Sequence, residues 1–286
     1  MSIVVTGATG QLGRLVVESL LSRGVPAEQI VATGRRVEVL DDLRERGVVV
    51  RRVDYNDPSS LREAFVGAEK VLLVSSSEVG QRLPQHRNVI EAAKEAGVSL
   101  LAYTSLTHAD TSTLFLGPEH RATEEALAES GLPYVLLRNG WYTENYTDQL
   151  PSYLEHGVVG AAGAGRVSAA TRADLAEAAA VVLTEDGHAG AVYELGGPAF
   201  TLAELAAAVS DATGQEVAYT DLPVEQYTQV LLGAGVPEAM AGVLADSDRG
   251  IADGELLVET KDLDNLLGRT PTSITEAVAE AARKLR

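Results

Sequence analysis

Over the first 140 residues, short apolar runs alternate with longer stretches in which apolar positions recur at helical spacing. The runs predict strands over Ile3–Thr6, Ile30–Thr33, Val48–Val53, Lys70–Val74, Ser99–Thr104 and Tyr134–Leu137. Helices are expected near Leu12–Ser22, Val37–Arg46, Ser59–Phe65, Gln85–Ala96 and Glu119–Glu129. Near-continuous apolar strands separated by helices read as a parallel sheet covered on both faces. Gly24, Gly47, Gly67, Gly97 and Gly131 each follow a helical segment, where a C-terminal glycine belongs. Beyond residue 140 the rhythm changes. Gly157–Gly165 reads as a crossing loop, Thr171–Thr184 as a helix and Ala191–Leu195 as a strand. Further helices are expected at Leu202–Thr213, Val224–Gly233, Pro237–Asp246, Lys261–Leu267 and Ile274–Lys284, with a strand at Glu216–Thr220. The expected fold is α/β: a Rossmann-type doubly wound parallel sheet with a smaller mixed α/β C-terminal domain. The expected partition gives residues 1–150, with a return segment near 166–196, to a dinucleotide-binding domain. Residues 151–165 and 197–286 form the smaller, substrate-side domain, and the cleft between the two takes a second ligand.

The first strand breaks into Gly7-Ala8-Thr9-Gly10-Gln11-Leu12-Gly13 and a helix follows. A strand that turns on glycines into a helix brings backbone N–H groups and a helix N-terminus to a pyrophosphate. The spacing is Gly-x-x-Gly-x-x-Gly. Glycines alone mark any tight turn, but here the strand, the helix and a charge-free turn supply the required context. All seven residues of the turn, Gly7, Ala8, Thr9, Gly10, Gln11, Leu12 and Gly13, are therefore candidate cofactor contacts.

Composition narrows the function. The chain has 286 residues, enough for a full core, and no cysteine, which removes disulfides and thiolate chemistry. Lys and Arg total 23 against 41 Asp and Glu, a net charge of −18 that repels nucleic acid and anionic membranes. No apolar run is long enough to span a bilayer, and the chain opens on a strand, so a cytoplasmic location is expected. An anionic cofactor must then be held by local cations. The second strand ends Thr33-Gly34-Arg35-Arg36, where an NAD-selective site carries an acidic residue. A guanidinium there can hold a 2′-phosphate, so NADPH is the expected cofactor; a surface arginine opening the next helix is the plainer alternative. Asp54 ends the third strand, placed either to accept from an adenine amino group or to cap the next segment. Ser75, Ser76 and Ser77 end the fourth strand, at the rim a dinucleotide crosses. No spacing suggests a metal site, and no Gly-x-Ser-x-Gly is present.

Gly7–Gly13, Ser75–Arg82, Ala102–Leu106, Leu137–Tyr142, Ala170–Asp174 and Ala245–Asp248 together resemble the NmrA-like atypical short-chain dehydrogenase/reductases. Within them, the resemblance is to the bacterial type 2 NAD(P)H:quinone oxidoreductases. It spans essentially the whole chain. It implies flavin-free reduction of a small-molecule quinone by NADPH, with Arg35 aligned to the 2′-phosphate. It also implies that Thr104 and the run Arg138, Asn139, Gly140, Trp141, Tyr142 and Thr143 line the cofactor or its neighbour. The usual Tyr-x-x-x-Lys pair is absent from the chain. In related members a lysine stands at the position of His120, which leaves His120 either a proton donor, a ligand of the nicotinamide ribose or a helix-surface residue. The candidate catalytic residues are His120, Asn139 and Tyr142. Trp141 is equally suited to anchoring a core where the domains meet. A quinone is electron-poor and accepts hydride without strong acid help, so proximity and exclusion of water are the main demands. The rival reading is an NADP(H)-binding redox sensor that binds a partner protein without turnover. Arg35→Ala is expected to weaken NADPH binding far more than NADH binding in fluorescence titrations of each nucleotide; equal losses would remove Arg35 from the 2′-phosphate.

Overall fold

Strands β1 (Ile3–Val5), β2 (Ile30–Gly34), β3 (Val49–Arg52), β4 (Lys70–Leu73), β5 (Leu100–Leu106), β6 (Tyr134–Asn139) and β8 (Val192–Leu195) form one sheet in the order β3-β2-β1-β4-β5-β6-β8. Every pairing in it is parallel. The structure is a computed structural model and describes residues 2–285.

Alternation along each strand decides which face is which. Ile3, Val5, Ile30, Ala32, Leu100 and Ala102 point into one core. Helices α1 (Gln11–Ser22), α8 (Arg172–Thr184) and α12 (Asp262–Leu267) cover that side. Val4, Val31, Leu101 and Tyr103 point into the other. There α3 (Pro58–Phe65), α4 (Arg82–Ala96) and α5 (Gly117–Ser130) pack. Burial on both faces explains why these strands read as unbroken apolar runs. The order reverses between β1 and β4, so the ends of these two strands open a crevice, the place where such sheets take ligands.

A second core lies beyond the end of β6. It joins α7 (Leu150–His156), α9 (Leu202–Thr213), α11 (Glu238–Ala252) and α13 (Ile274–Lys284) through Leu150, Leu205, Val209, Ile251 and Val278. Its strands β7 (Val158–Gly160) and β9 (Tyr219–Asp221) pair in parallel as a separate two-stranded sheet. Short α6 (Glu144–Thr147) leads into it, and α10 (Val224–Gly233) packs against α11 outside it. The remaining segment α2 (Asp41–Glu45) follows β2.

Several expected boundaries are corrected. The helix expected over Val37–Arg46 is a 3₁₀ turn, Val37–Leu40, followed by the single short turn of α2, because only Leu40 and Leu43 reach the core. Helix α4 begins at Arg82, with Pro84 in its first turn where a missing N–H costs nothing. The expected loop Gly157–Gly165 contains β7, and β9 falls later than expected, because these two short segments find each other across sixty residues. Helix α11 runs on to Ala252 because Ala245, Asp248 and Ile251 continue its buried face.

Gly140, just past β6, makes a close backbone approach. Its backbone passes so close to the next layer that a Cβ there would sit 2.7 Å from the Ser168 carbonyl oxygen and 3.0 Å from that of Leu195. Neither is the end of a flexible side chain. Gly140→Ala is therefore expected to destabilise the fold by about 1–3 kcal/mol, read as a lowered midpoint in urea unfolding.

Candidate active site

The glycine turn closes on itself. Gly7 has φ +62° and the Gly10 N–H donates to the Gly7 carbonyl at 2.9 Å. A Cβ on Gly13 would stand 2.5 Å from that same Gly7 oxygen, so only glycine lets α1 approach the end of β1 so closely. Gly34 likewise leaves the room that the Thr9 side chain fills, since a Cβ there would meet Thr9 at 2.5 Å. Helix α1 has no side-chain cap and no acidic residue in its first turn. Its leading N–H groups, with the positive end of the helix dipole, are therefore available to an anion.

The turn forms the floor of a cleft of about 470 Å³. Its walls include Gly7, Thr9, Gly10, Gln11, Leu12, Gly13, Arg35, Asp54, Ser75, Ser76, Ser77 and Tyr142, all expected from the sequence. Gly34, Arg36, Tyr55, Glu78, Gln85 and Arg172 complete its polar lining. Three guanidiniums, Arg35, Arg36 and Arg172, face two carboxylates, Asp54 and Glu78, so the cleft is locally cationic in a strongly acidic chain. Asp54 turns its carboxylate on Asn56, accepting from its backbone N–H at 2.9 Å and side-chain amide at 3.2 Å. Asp57, not Asp54, caps α3.

The serine rim is pinned from behind. Ser75 N–H donates to Thr104 Oγ1 at 2.8 Å and Ser76 N–H to His86 Nε2 at 2.9 Å. His86 Nδ1 meets Thr123 Oγ1 at 2.9 Å, and that hydroxyl donates to the Glu119 carbonyl. These partners fix His86 as the Nδ1–H tautomer. Arg82 Nε donates to the Ser76 carbonyl at 2.6 Å, and Asn88 holds the Tyr55 carbonyl at 2.8 Å. Thr104 thus braces the rim and does not line the cleft.

At the far end Arg172 Cζ lies 4.7 Å from the centre of the Tyr142 ring. Burial raises the Tyr142 phenol above its usual range, and the Arg172 guanidinium holds part of that rise back. The phenol therefore keeps its proton at neutral pH. Close by in the chain, Asn139 Oδ1 and Thr143 Oγ1 are buried with no partner among the described residues. Buried polar atoms left unpaired are costly, and neither residue lines the cleft, although their neighbour Tyr142 does.

Other expected residues have different work. Ala8 is fully buried, its N–H bonded to the Thr33 carbonyl at 2.7 Å. Arg138 is corrected from cofactor contact to strut. Its guanidinium binds Glu124 at 2.7 Å, Glu194 at 2.9 Å and Asp110 at 3.0 Å, which engages all three of its nitrogens. Gly140 serves the close packing described above, and Trp141 packs on the second core. His120 is not a helix-surface residue. Its Nδ1 meets the Tyr103 hydroxyl at 2.8 Å inside the protein, and burial, with Arg82 nearby, pushes its pKa down to about 3. It is neutral near pH 7, so a charged proton donor does not follow from this geometry. Tyr55, Glu78, Gln85 and Arg172 carried no signal of their own. They reach the cleft from four different segments, although Glu78 and Arg172 stand inside motifs that the sequence singled out.

These imidazoles set a pH dependence. Burial pushes His86 to about 3 as well, so the unfolded chain protonates both histidines near 6.5 while the folded protein does not. Their contribution is complete above about 6.5 and is lost as pH falls, by about 1.4 kcal/mol per pH unit for each imidazole. Burial raises Asp248 to about 6, which works in the opposite sense between 6 and the unfolded 3.8. His120→Gln is expected to remove one proton's worth of slope, about 1.4 kcal/mol per unit, in urea unfolding compared at pH 6 and pH 5. An unchanged slope would mean that His120 already titrates normally.

Among the described residues no group of three or more His, Cys, Asp or Glu is placed to hold a metal, and no helix is long and apolar enough to cross a membrane. The family model described as NAD(P)H-binding matches residues 7–186. Quinone oxidoreductase 2 of Escherichia coli is 52% identical over 97% of each chain. The crystal structure of the NADPH-dependent quinone oxidoreductase of Escherichia coli, complexed with NADPH, superposes with a TM-score of 0.94, covering 97% of this chain and 99% of that one. Triphenylmethane reductase of Citrobacter, complexed with NADP(H), is 40% identical with a TM-score of 0.92, covering 98% and 100%. The motifs, the cleft and these likenesses together show that the chain belongs to the NAD(P)H-binding, NmrA-like reductases, among the quinone oxidoreductases.

Proposed function

We propose that this protein is an NADPH-dependent quinone oxidoreductase that works by direct, flavin-free hydride transfer. The observation that carries the reading is the single cleft running from Arg35 and Arg36, over the glycine turn, to Tyr142 and Arg172. Its residues fit the cofactor: a cradle that a Cβ would fill, uncapped amides on α1, and two guanidiniums at one end. Bound there, NADPH supplies a hydride. The turn from Gly7 to Gly13 holds the pyrophosphate, with Ala8 fixing its backbone. Arg35 takes the 2′-phosphate, Asp54 the adenine, and Ser75, Ser76 and Ser77 the sugars and phosphates between.

Asn139 and Thr143 offer their unpartnered oxygens to the nicotinamide end, held in place through Gly140 and Arg138. Tyr142 keeps its proton and donates a hydrogen bond towards a developing hydroquinone oxygen, and the Arg172 guanidinium favours negative charge there. Trp141 and the second core close that end against water. His120 acts only through Tyr103, as part of the packing behind the rim. In this reading residues 1–150 with 166–196 bind the nucleotide, the remainder forms the quinone side, and the protein works in the cytoplasm.

Absorbance at 340 nm, followed with and without a simple benzoquinone and no added flavin, tests the proposal. Saturable quinone-dependent oxidation of NADPH is expected, with kcat reduced in Tyr142→Phe. Tight NADPH binding without turnover would favour the sensor and overturn the enzyme.

A further inference from the structure

Arg35 is not free in the cleft. Its Nη1 lies 2.5 Å from Glu78 Oε1. Glu78 comes from the loop between β4 and α4, on the opposite side of the switch point from β2. Its placement is built: Oε2 accepts from the Gln85 side-chain amide at 2.8 Å, and its backbone N–H donates to Ser76 Oγ at 3.2 Å. Both Arg35 and Glu78 line the cleft, and Arg36 stands beside them. The ion pair therefore engages one nitrogen of the guanidinium that a 2′-phosphate requires and sets a carboxylate beside it. A carboxylate and a phosphate ester compete for the same donor fork, and two anions crowded on one guanidinium repel each other. A 2′-hydroxyl carries no charge and makes no such demand.

We propose that Glu78 is a specificity-determining residue: it holds Arg35 in an ion pair that NADPH must displace and that NADH can leave intact. The inference rests on the proposed nucleotide site. Discrimination is a difference between two affinities, and Glu78 taxes only one of them. Arg35 and Glu78 side chains are 58% and 37% exposed, so the tax is modest. Exposed ion pairs of this kind correspond to an affinity change of about two- to fivefold. The effect also shrinks as salt is raised, because the pair is screened. The carboxylate thus moderates the preference for NADPH that two adjacent arginines would otherwise impose.

The test is a set of equilibrium titrations with NADPH and NADH on the full chain. The proteins are the parent, Glu78→Gln, Glu78→Ala, Arg35→Ala and the double variant Arg35→Ala/Glu78→Gln. Glu78 is half-buried at the cleft and outside the hydrophobic cores, so circular dichroism should show both single Glu78 variants folded. Each is expected to bind NADPH about two- to fivefold more tightly, with a smaller change for NADH, and the gain should diminish at high salt. The gain should vanish in the Arg35→Ala background, which ties it to the pair. An unchanged or weaker NADPH affinity in the Glu78 variants overturns the proposal. So does an equal gain for both nucleotides, or a gain that survives without Arg35. If the parent chain binds neither nucleotide, the proposed cofactor site itself has failed, a result distinct from any of these.

Discussion

The approach of helix α1 to the end of β1 is the constraint on which the rest of the cleft depends. The Gly7 carbonyl sits where a side chain on residue 13 would otherwise be, and the Gly10 amide closes the turn onto that same oxygen. The contact brings an uncapped helix N-terminus to the switch point of the sheet. It also explains how a chain with net charge −18 can present an anion site. The favourable field there comes from oriented backbone dipoles and three local guanidiniums, which act at short range, while the distributed acidic surface is screened by salt.

The second strut of the site is the loop after β4, which would be loose if left to itself. It is tied down by side chains from α4 and α5. His86 accepts the Ser76 amide, Arg82 grips the Ser76 carbonyl, and Glu119 accepts the Gly80 amide at 2.8 Å. These ties require a neutral His86, because a protonated Nε2 cannot accept a hydrogen bond. Burial of the imidazoles is thus a cost that rises in acid and a benefit at neutral pH, where it locks the rim on which Glu78 and the serines stand.

The edge of the sheet is held by ionic as well as apolar contacts. Arg138 at the end of β6 draws together Glu124 on α5, Glu194 on β8 and Asp110 in the loop after β5. Glu194 in turn accepts from the His108 backbone N–H at 3.0 Å and so helps hold His108 at φ +52°, an uncommon conformation for a residue with a side chain. A buried cation with several carboxylates is weak evidence for stability, but removing it leaves its partners uncompensated. Its effect here is to orient β5, β6 and β8 at the edge where Asn139, Tyr142 and Thr143 emerge.

The sequence by itself determined the parallel sheet, the phosphate turn and most of the cleft floor. These features are local: strand alternation, helix spacing and glycine at fixed offsets follow from backbone geometry within a few residues. It did not determine the pairing of β7 with β9, since two three-residue strands carry too little periodicity to be distinguished from loops. Nor did it separate Arg35 from Arg138, the same residue type near the ends of two strands, β2 and β6. Only the tertiary structure decided that Arg35 faces the cleft while Arg138 is engaged by carboxylates, and that His120 is buried and neutral. The physical reason is that a side chain's charge state and availability depend on partners brought from distant segments, and those partners exist only once the chain is folded.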